Sequence, residues 1–164
     1  MRFNAMTKKL ITLCLAVALV FAMAVPAFAY STDYPNTWSN TGDQRYDVVQ
    51  IAKTQVGYGE VNYETKYGAW WTQYNGNSFN FLTQPWCAMF MLWCENQAGC
   101  TNAVYGMSAS SSALLKAYQN GTNGAQAYSF GSGYMPRPGD IIFVGYYGGD
   151  STNHVGLVVG VDDS

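Results

Sequence analysis

Charged residues are scarce: they make up 11% of the 164-residue chain, eight basic against ten acidic. No Lys/Arg cluster follows the first nine residues. That argues against a nucleic-acid-binding surface and against a membrane-disrupting peptide. Histidine occurs once, as His154. With cysteines at 87, 94 and 100 it gives no paired-ligand spacing, so a zinc site is disfavoured and no metal or other cofactor is expected. No internal repeat is present. What is abundant is apolar and aromatic: 49% hydrophobic and 16% Phe, Trp and Tyr. A disordered chain has the opposite composition, and the length suits one domain.

Residues 1–29 read as a secretory signal peptide. Arg2, Lys8 and Lys9 supply the positive start, Leu10 to Val25 the apolar stretch, and Pro26 breaks it. Ala27 and Ala29 flank Phe28 in the small-x-small pattern, which places cleavage after Ala29. The apolar run is 16 residues, short of the roughly 20 that span a bilayer, so no permanent membrane span is expected. Leu13 stands before Cys14 where a lipoprotein signal would carry a small residue. The expected product is a secreted or wall-located chain with a net charge of −5. Its three cysteines are an odd number, which in an exported protein asks for an explanation.

Residues 30–42 form a polar lead-in, and 43–164 form the domain. Thr41 and Gln44 stand at capping-box spacing. Val49, Ala52 and Val56 then recur at helical intervals, with Gly57 as a left-handed stop. A short helix from Glu64 to Tyr74 follows, then a loop over 75–78. Pro85 suits a first helical position and Gly99 a stop. Between them, Trp86 to Cys94 is apolar on nearly every side, the pattern of a buried helix. Ser110 to Ser112 cap another helix over 113–120, stopped by Gly121. Residues 140–144 and 154–161 read as an antiparallel strand pair joined by 146–153. In the second strand Val155, Leu157, Val159 and Val161 alternate with His154, Gly156, Val158 and Gly160.

Cys87 falls in the first turn of the helix expected at Pro85. Free N–H groups and the positive end of the helix dipole there favour negative charge on the sulfur, the form needed for nucleophilic catalysis. The same N–H groups are aimed to hold a developing oxyanion. The bland alternative is a small buried thiol. A nucleophilic cysteine needs a base, and His154 is the one imidazole in the chain. The glycines that share its strand face would let the amino end of the Cys87 helix approach closely; the alternative is a surface histidine at a strand edge. Cys94 lies about 10 Å further along the same helix and reads as a buried structural thiol. Cys100 either packs beside it or joins it in a disulfide. Asp140 follows a Pro-Gly turn and reads as structural. Among the aromatics, Trp86 beside the cysteine and Tyr67 are the candidates for a substrate-facing position, although large aromatics are more often core.

Three segments in order carry a resemblance: Pro85 to Cys94 (PWCAMFMLWC), Pro136 to Phe143 (PRPGDIIF) and His154 to Val158 (HVGLV). They resemble the CHAP family, the cysteine- and histidine-dependent amidohydrolases/peptidases related to NlpC/P60 peptidases within the papain-like group. Lys66, Tyr67, Gly68 and Trp70 look like the segment preceding the cysteine in clostridial-type members. The resemblance implies an α+β, papain-like fold in which helices carrying the cysteine pack on an antiparallel sheet carrying the histidine. It also implies hydrolysis of bacterial peptidoglycan, either at the N-acetylmuramoyl-L-alanine amide or at a bond in the peptide stem or cross-bridge. Carried over by position, Cys87 is the nucleophile and His154 the base.

The family's third polar residue, which orients the imidazole, lies on the strand after the histidine. Here that interval holds aliphatic residues, Asp162 and Asp163, with no Glu or Asn. The expectation is a domain incomplete at its C-terminus, with an unpaired sheet edge and weak activity. The rival reading is therefore a catalytically weak or inactive wall-binding module of the same fold. A third is a transpeptidase, which amine-acceptor dependence would separate from a hydrolase.

Overall fold

The computed structural model describes residues 34–35, 37–104, 106–145 and 152–162. The signal-peptide reading of 1–29 and most of the 146–153 connection lie outside these residues. The described elements are helices α1 (Gln44–Thr54), α2 (Lys66–Tyr74), α3 (Cys87–Gln97), α4 (Thr101–Val104) and α5 (Ser111–Gln119), followed by strands β1 (Ile141–Val144) and β2 (His154–Leu157). The architecture is α+β. Helix α3 is the hub, packed against α1, α2, α4, α5 and β2, and Ala88, Met89, Met91, Leu92 and Cys94 along it are fully buried. This is why its sequence is apolar around the circumference.

Local chemistry explains the helix ends. Asp43, rather than Thr41, caps α1 by accepting from the Tyr46 N–H. The Thr41 hydroxyl instead donates to Asp47 Oδ1 at 2.9 Å. Asp47 is fully buried and also accepts from the Thr41 and Gly42 N–H groups and the Trp38 indole. Burial alone would raise its carboxyl; the bonds from Thr41, Trp38 and Gly42 outweigh it and hold the group below the ordinary carboxylate range. Helix α1 stops at Thr54, so Val56 lies beyond it and is 81% exposed. Helix α3 begins at Cys87 with Trp86 as its cap residue, two residues later than expected from Pro85. It ends in a Schellman motif: Gly99 takes a positive φ, and the Gly99 and Cys100 N–H groups reach the Asn96 and Glu95 carbonyls.

The lead-in is tied to the helices where it is described. The Pro35 carbonyl accepts from Lys66 Nζ at 2.9 Å and from Gln55 Nε2 at 3.2 Å. Lys66 is buried with its ammonium 4.8–5.6 Å from the ring centroids of Trp93, Tyr58, Tyr67 and Tyr34, a cation–π arrangement. Burial pulls its pKa down to about 8.

Segment 81–85, which leads into α3, lies against α2. Thr65 N–H donates to the Leu82 carbonyl, and Phe81 N–H to the Thr72 hydroxyl. The approach is close at Gly68, where an added Cβ would sit 2.5 Å from the Phe81 carbonyl oxygen and 3.0 Å from Leu82 Cα. Both are backbone atoms that cannot swing aside. Gly68→Ala is therefore expected to lower stability by about 1–3 kcal/mol, read as a reduced urea midpoint.

Strands β1 and β2 pair antiparallel with Val144 opposite His154 and Ile141 opposite Leu157. Val155 is buried, and Ile141, Phe143 and Leu157 on the same face pack on the core. The alternation does not continue to Val161. Gly139 and Asp140 supply the last partners, bonding across to Val158. Beyond them the chain has no partner strand among the described residues, and Val159 and Val161 are about half exposed. Asp140 closes the preceding turn: its carboxylate takes Arg45 Nη1 at 2.7 Å, the Tyr134 hydroxyl at 2.7 Å and the Arg137 N–H at 2.8 Å.

Candidate active site

Cys87 is the first helical residue of α3 and opens into a cleft of about 530 Å³. Trp71 and Asn75 from the end of α2 form one wall, and Phe81, Gln84 and Pro85 the next. Met107 to Ser111, entering α5, face them, and Asn153 closes the circuit. The described lining is apolar or carries amide and hydroxyl groups; it includes no charged side chain.

The helix end that carries Cys87 differs from the others. Helices α1, α2 and α5 are capped by the side chains of Asp43, Thr65 and Ser110. Trp86 makes no side-chain cap at α3, and the first intrahelical bond there runs from the Phe90 N–H to the Trp86 carbonyl. The opening N–H groups of α3 are thus free of a capping side chain beside the Cys87 sulfur, an arrangement that suits an anion.

His154 is the first residue of β2 and exposed, and its neighbour Asn153 lines the Cys87 cleft. The cleft lining reaches Asn153 but not the imidazole, and no hydrogen bond joins His154 to Cys87 among the described residues. The glycines on the His154 face do not serve a helix contact. The Val155 face packs inward, and a Cβ on Gly156 would meet only Ile142, at 3.8 Å. The apolar face of the hairpin packs on the core, and the opposite face, with His154 exposed and Gly156 and Val158 part-buried, is only partly covered.

Two features near His154 were not read from the sequence. Thr152 is buried, with its hydroxyl tied to both strands and its backbone carbonyl to α5. Asn153 and Gln84, both amide residues, belong to the cleft lining. A buried threonine beside a loop gives no sequence signal. The amides were legible only as polar residues flanking the two candidates.

Trp86 and Tyr67 point elsewhere. They stack on each other with centroids 5.3 Å apart and line a separate cavity of about 290 Å³ with Tyr58, Phe90, Leu157 and Val159. Tyr67 is fully buried, with its hydroxyl donating to Gln55 Oε1 at 3.1 Å, and the Trp86 indole donates to Glu60 at 3.1 Å. All three described cysteines are free thiols. Cys94 is fully buried, and burial pushes its thiol well above the ordinary range. Burial, with Glu95 and Asp47 nearby, also raises Cys100. Among the described residues no cluster of three or more His, Cys, Asp or Glu is placed to hold a metal ion. No described helix is long and apolar enough to cross a membrane.

The fold and site define an α+β domain built around a helix whose first residue is a cysteine opening into a cleft. The chain belongs to the CHAP domain family: the family model matches residues 78–164, more than half of the chain and the part that carries α3, α5 and the hairpin. Membership supports a hydrolase role of the amidase/peptidase kind. No curated protein and no solved structure is significantly similar to the chain.

Proposed function

We propose that the protein is a secreted cysteine hydrolase that cuts an amide bond of bacterial peptidoglycan, with Cys87 as nucleophile and His154 as base, on a papain-like arrangement. One observation carries the reading. Cys87 opens the single long helix without a side-chain cap among the described residues, in a cleft whose wall ends one residue from the only histidine.

In this mechanism His154 takes the proton of the Cys87 thiol as the sulfur attacks the carbonyl carbon of the scissile amide. The opening N–H groups of α3 hold the negative charge that develops on its oxygen. The C–N bond breaks as His154 gives a proton to the departing amine, leaving an acyl group on Cys87. His154 then takes a proton from water, which attacks the thioester and frees the carboxylate and the thiol. The neutral amide and hydroxyl lining suits a peptide backbone, whose groups need partners when they leave water.

The test is digestion of purified peptidoglycan by the protein lacking its signal segment, with mass spectrometry of the soluble fragments. New amine and carboxyl ends at one amide bond are expected, and their position separates a muramoyl amidase from a stem or cross-bridge endopeptidase. Binding to the wall with no new ends would instead support the non-catalytic module.

A further inference from the structure

We propose that Thr152 is the positioning residue of this site, the group that fixes where His154 stands. The inference rests on the hydrolase reading for its catalytic consequence, but its geometry stands apart from it.

Thr152 is the last described residue before the strand turns at Asn153 and begins at His154, and it is only 7% exposed. Its hydroxyl lies 2.8 Å from the His154 carbonyl and 2.9 Å from the Val144 carbonyl, so one proton is shared between two strands. Val144 is the register partner of His154, and its carbonyl also accepts the Asn153 N–H at 3.2 Å. The Thr152 carbonyl in turn accepts from the Ser112 hydroxyl at 2.8 Å and lies 3.4 Å from the Ser111 hydroxyl. Ser111 also lines the Cys87 cleft.

The consequence is a rigid path from one side of the site to the other. The first turn of α5 forms part of the cleft wall and holds the Thr152 carbonyl. The Thr152 hydroxyl holds the His154 carbonyl, and with it the direction in which the His154 side chain leaves the backbone. A strand end without this clasp would fray, because terminal residues of a two-stranded sheet have few other restraints. The structure places this restraint on the backbone just before the histidine.

The test compares Thr152→Val, which keeps the shape and removes the hydroxyl, with Thr152→Ser, which keeps the hydroxyl. Because the chain has one histidine, its imidazole gives a single set of NMR signals that reports position whether or not the protein turns over substrate. Thr152→Val is expected to move or broaden those signals. It should also lower kcat on peptidoglycan fragments about tenfold or more, with KM within about twofold. Thr152→Ser is expected to restore both.

A folded Thr152→Val protein with wild-type imidazole signals and wild-type kcat overturns the proposal. If the valine variant does not fold, Ser111→Ala combined with Ser112→Ala takes its place, since together they free the Thr152 carbonyl. It should move the imidazole signals, and unchanged signals again overturn the proposal. If wild type and His154→Ala digest peptidoglycan equally, the hydrolase reading fails, and the NMR comparison alone decides whether Thr152 positions the ring.

Discussion

Replacing Cys87 by alanine is expected to reduce release of soluble fragments from peptidoglycan to the level of a no-enzyme control. No other described cysteine can substitute. Cys94 is fully buried two helical turns away, and burial disfavours the thiolate at both Cys94 and Cys100. His154→Ala removes the proton carrier while leaving the nucleophile and the N–H groups of the α3 end. The expected loss in kcat is about 10²–10⁴-fold, the usual worth of a positioned acid–base. Both variants should bind the wall as wild type does, measured by co-sedimentation with insoluble peptidoglycan. Loss of binding together with turnover would point to a misfolded cleft instead of lost chemistry.

The second large effect concerns stability. Glu95 sits near the end of α3 with its Oε2 buried and, among the described residues, without a hydrogen-bond partner, while Oε1 has the Tyr118 hydroxyl at 3.5 Å. Burial pushes its carboxyl up from an ordinary 4.5 to about 7, and the Tyr118 bond offsets only part of that. The folded protein therefore keeps a proton on Glu95 at pH values where the unfolded chain has lost it. Stability from this group is fully present below about pH 4.5 and is lost as pH rises to about 7.

Glu95→Gln removes the ionisation and keeps the shape. At pH 8 it is expected to be more stable than wild type by about 3 kcal/mol, measured by urea unfolding, with the difference vanishing towards pH 4.5. Asp47 and Asp140 oppose this at the acid end. In each, burial works against ionisation but hydrogen bonds outweigh it and depress the carboxyl, so their stabilisation is lost as pH falls through the depressed values. The wild-type stability maximum should accordingly lie on the acid side of neutrality.

The main elements were legible because their signals are local. The all-apolar run of α3 between Pro85 and Gly99, the Ser110 cap and Gly121 stop of α5, and the two short strands each follow from patterning and turn chemistry. The family resemblance, carried by the segments at Pro85, Pro136 and His154, matches the residues covered by the family model. What was misread depended on partners distant in sequence. Thr41 has the right spacing to cap α1, but the buried Asp47 carboxylate takes its hydroxyl and leaves the cap to Asp43. The alternation of β2 runs on to Val161, yet a strand extends only as far as its partner, and among the described residues Gly139 is the last one.

The candidate site was readable as types more than as places. Cys87 at a helix start follows from the proline and the apolar run. The side of the chain on which Trp86 and Tyr67 fall does not, because it depends on how α2 meets α3. Nor does a lysine among four rings announce itself: nothing local to Lys66 shows that Tyr34, Tyr58, Tyr67 and Trp93 gather around it. Thr152 is similar, since its role comes from carbonyls on two strands and hydroxyls from a helix about forty positions earlier.

The most direct measurement of the central claim is the alkylation rate of each cysteine as a function of pH, resolved by mass spectrometry in wild type and His154→Ala. The account predicts that Cys87 is modified well ahead of Cys94 and Cys100 near neutral pH, and that losing His154 slows it or changes its pH dependence. Cys87 reacting no faster than the other two, with His154→Ala making no difference, would contradict it.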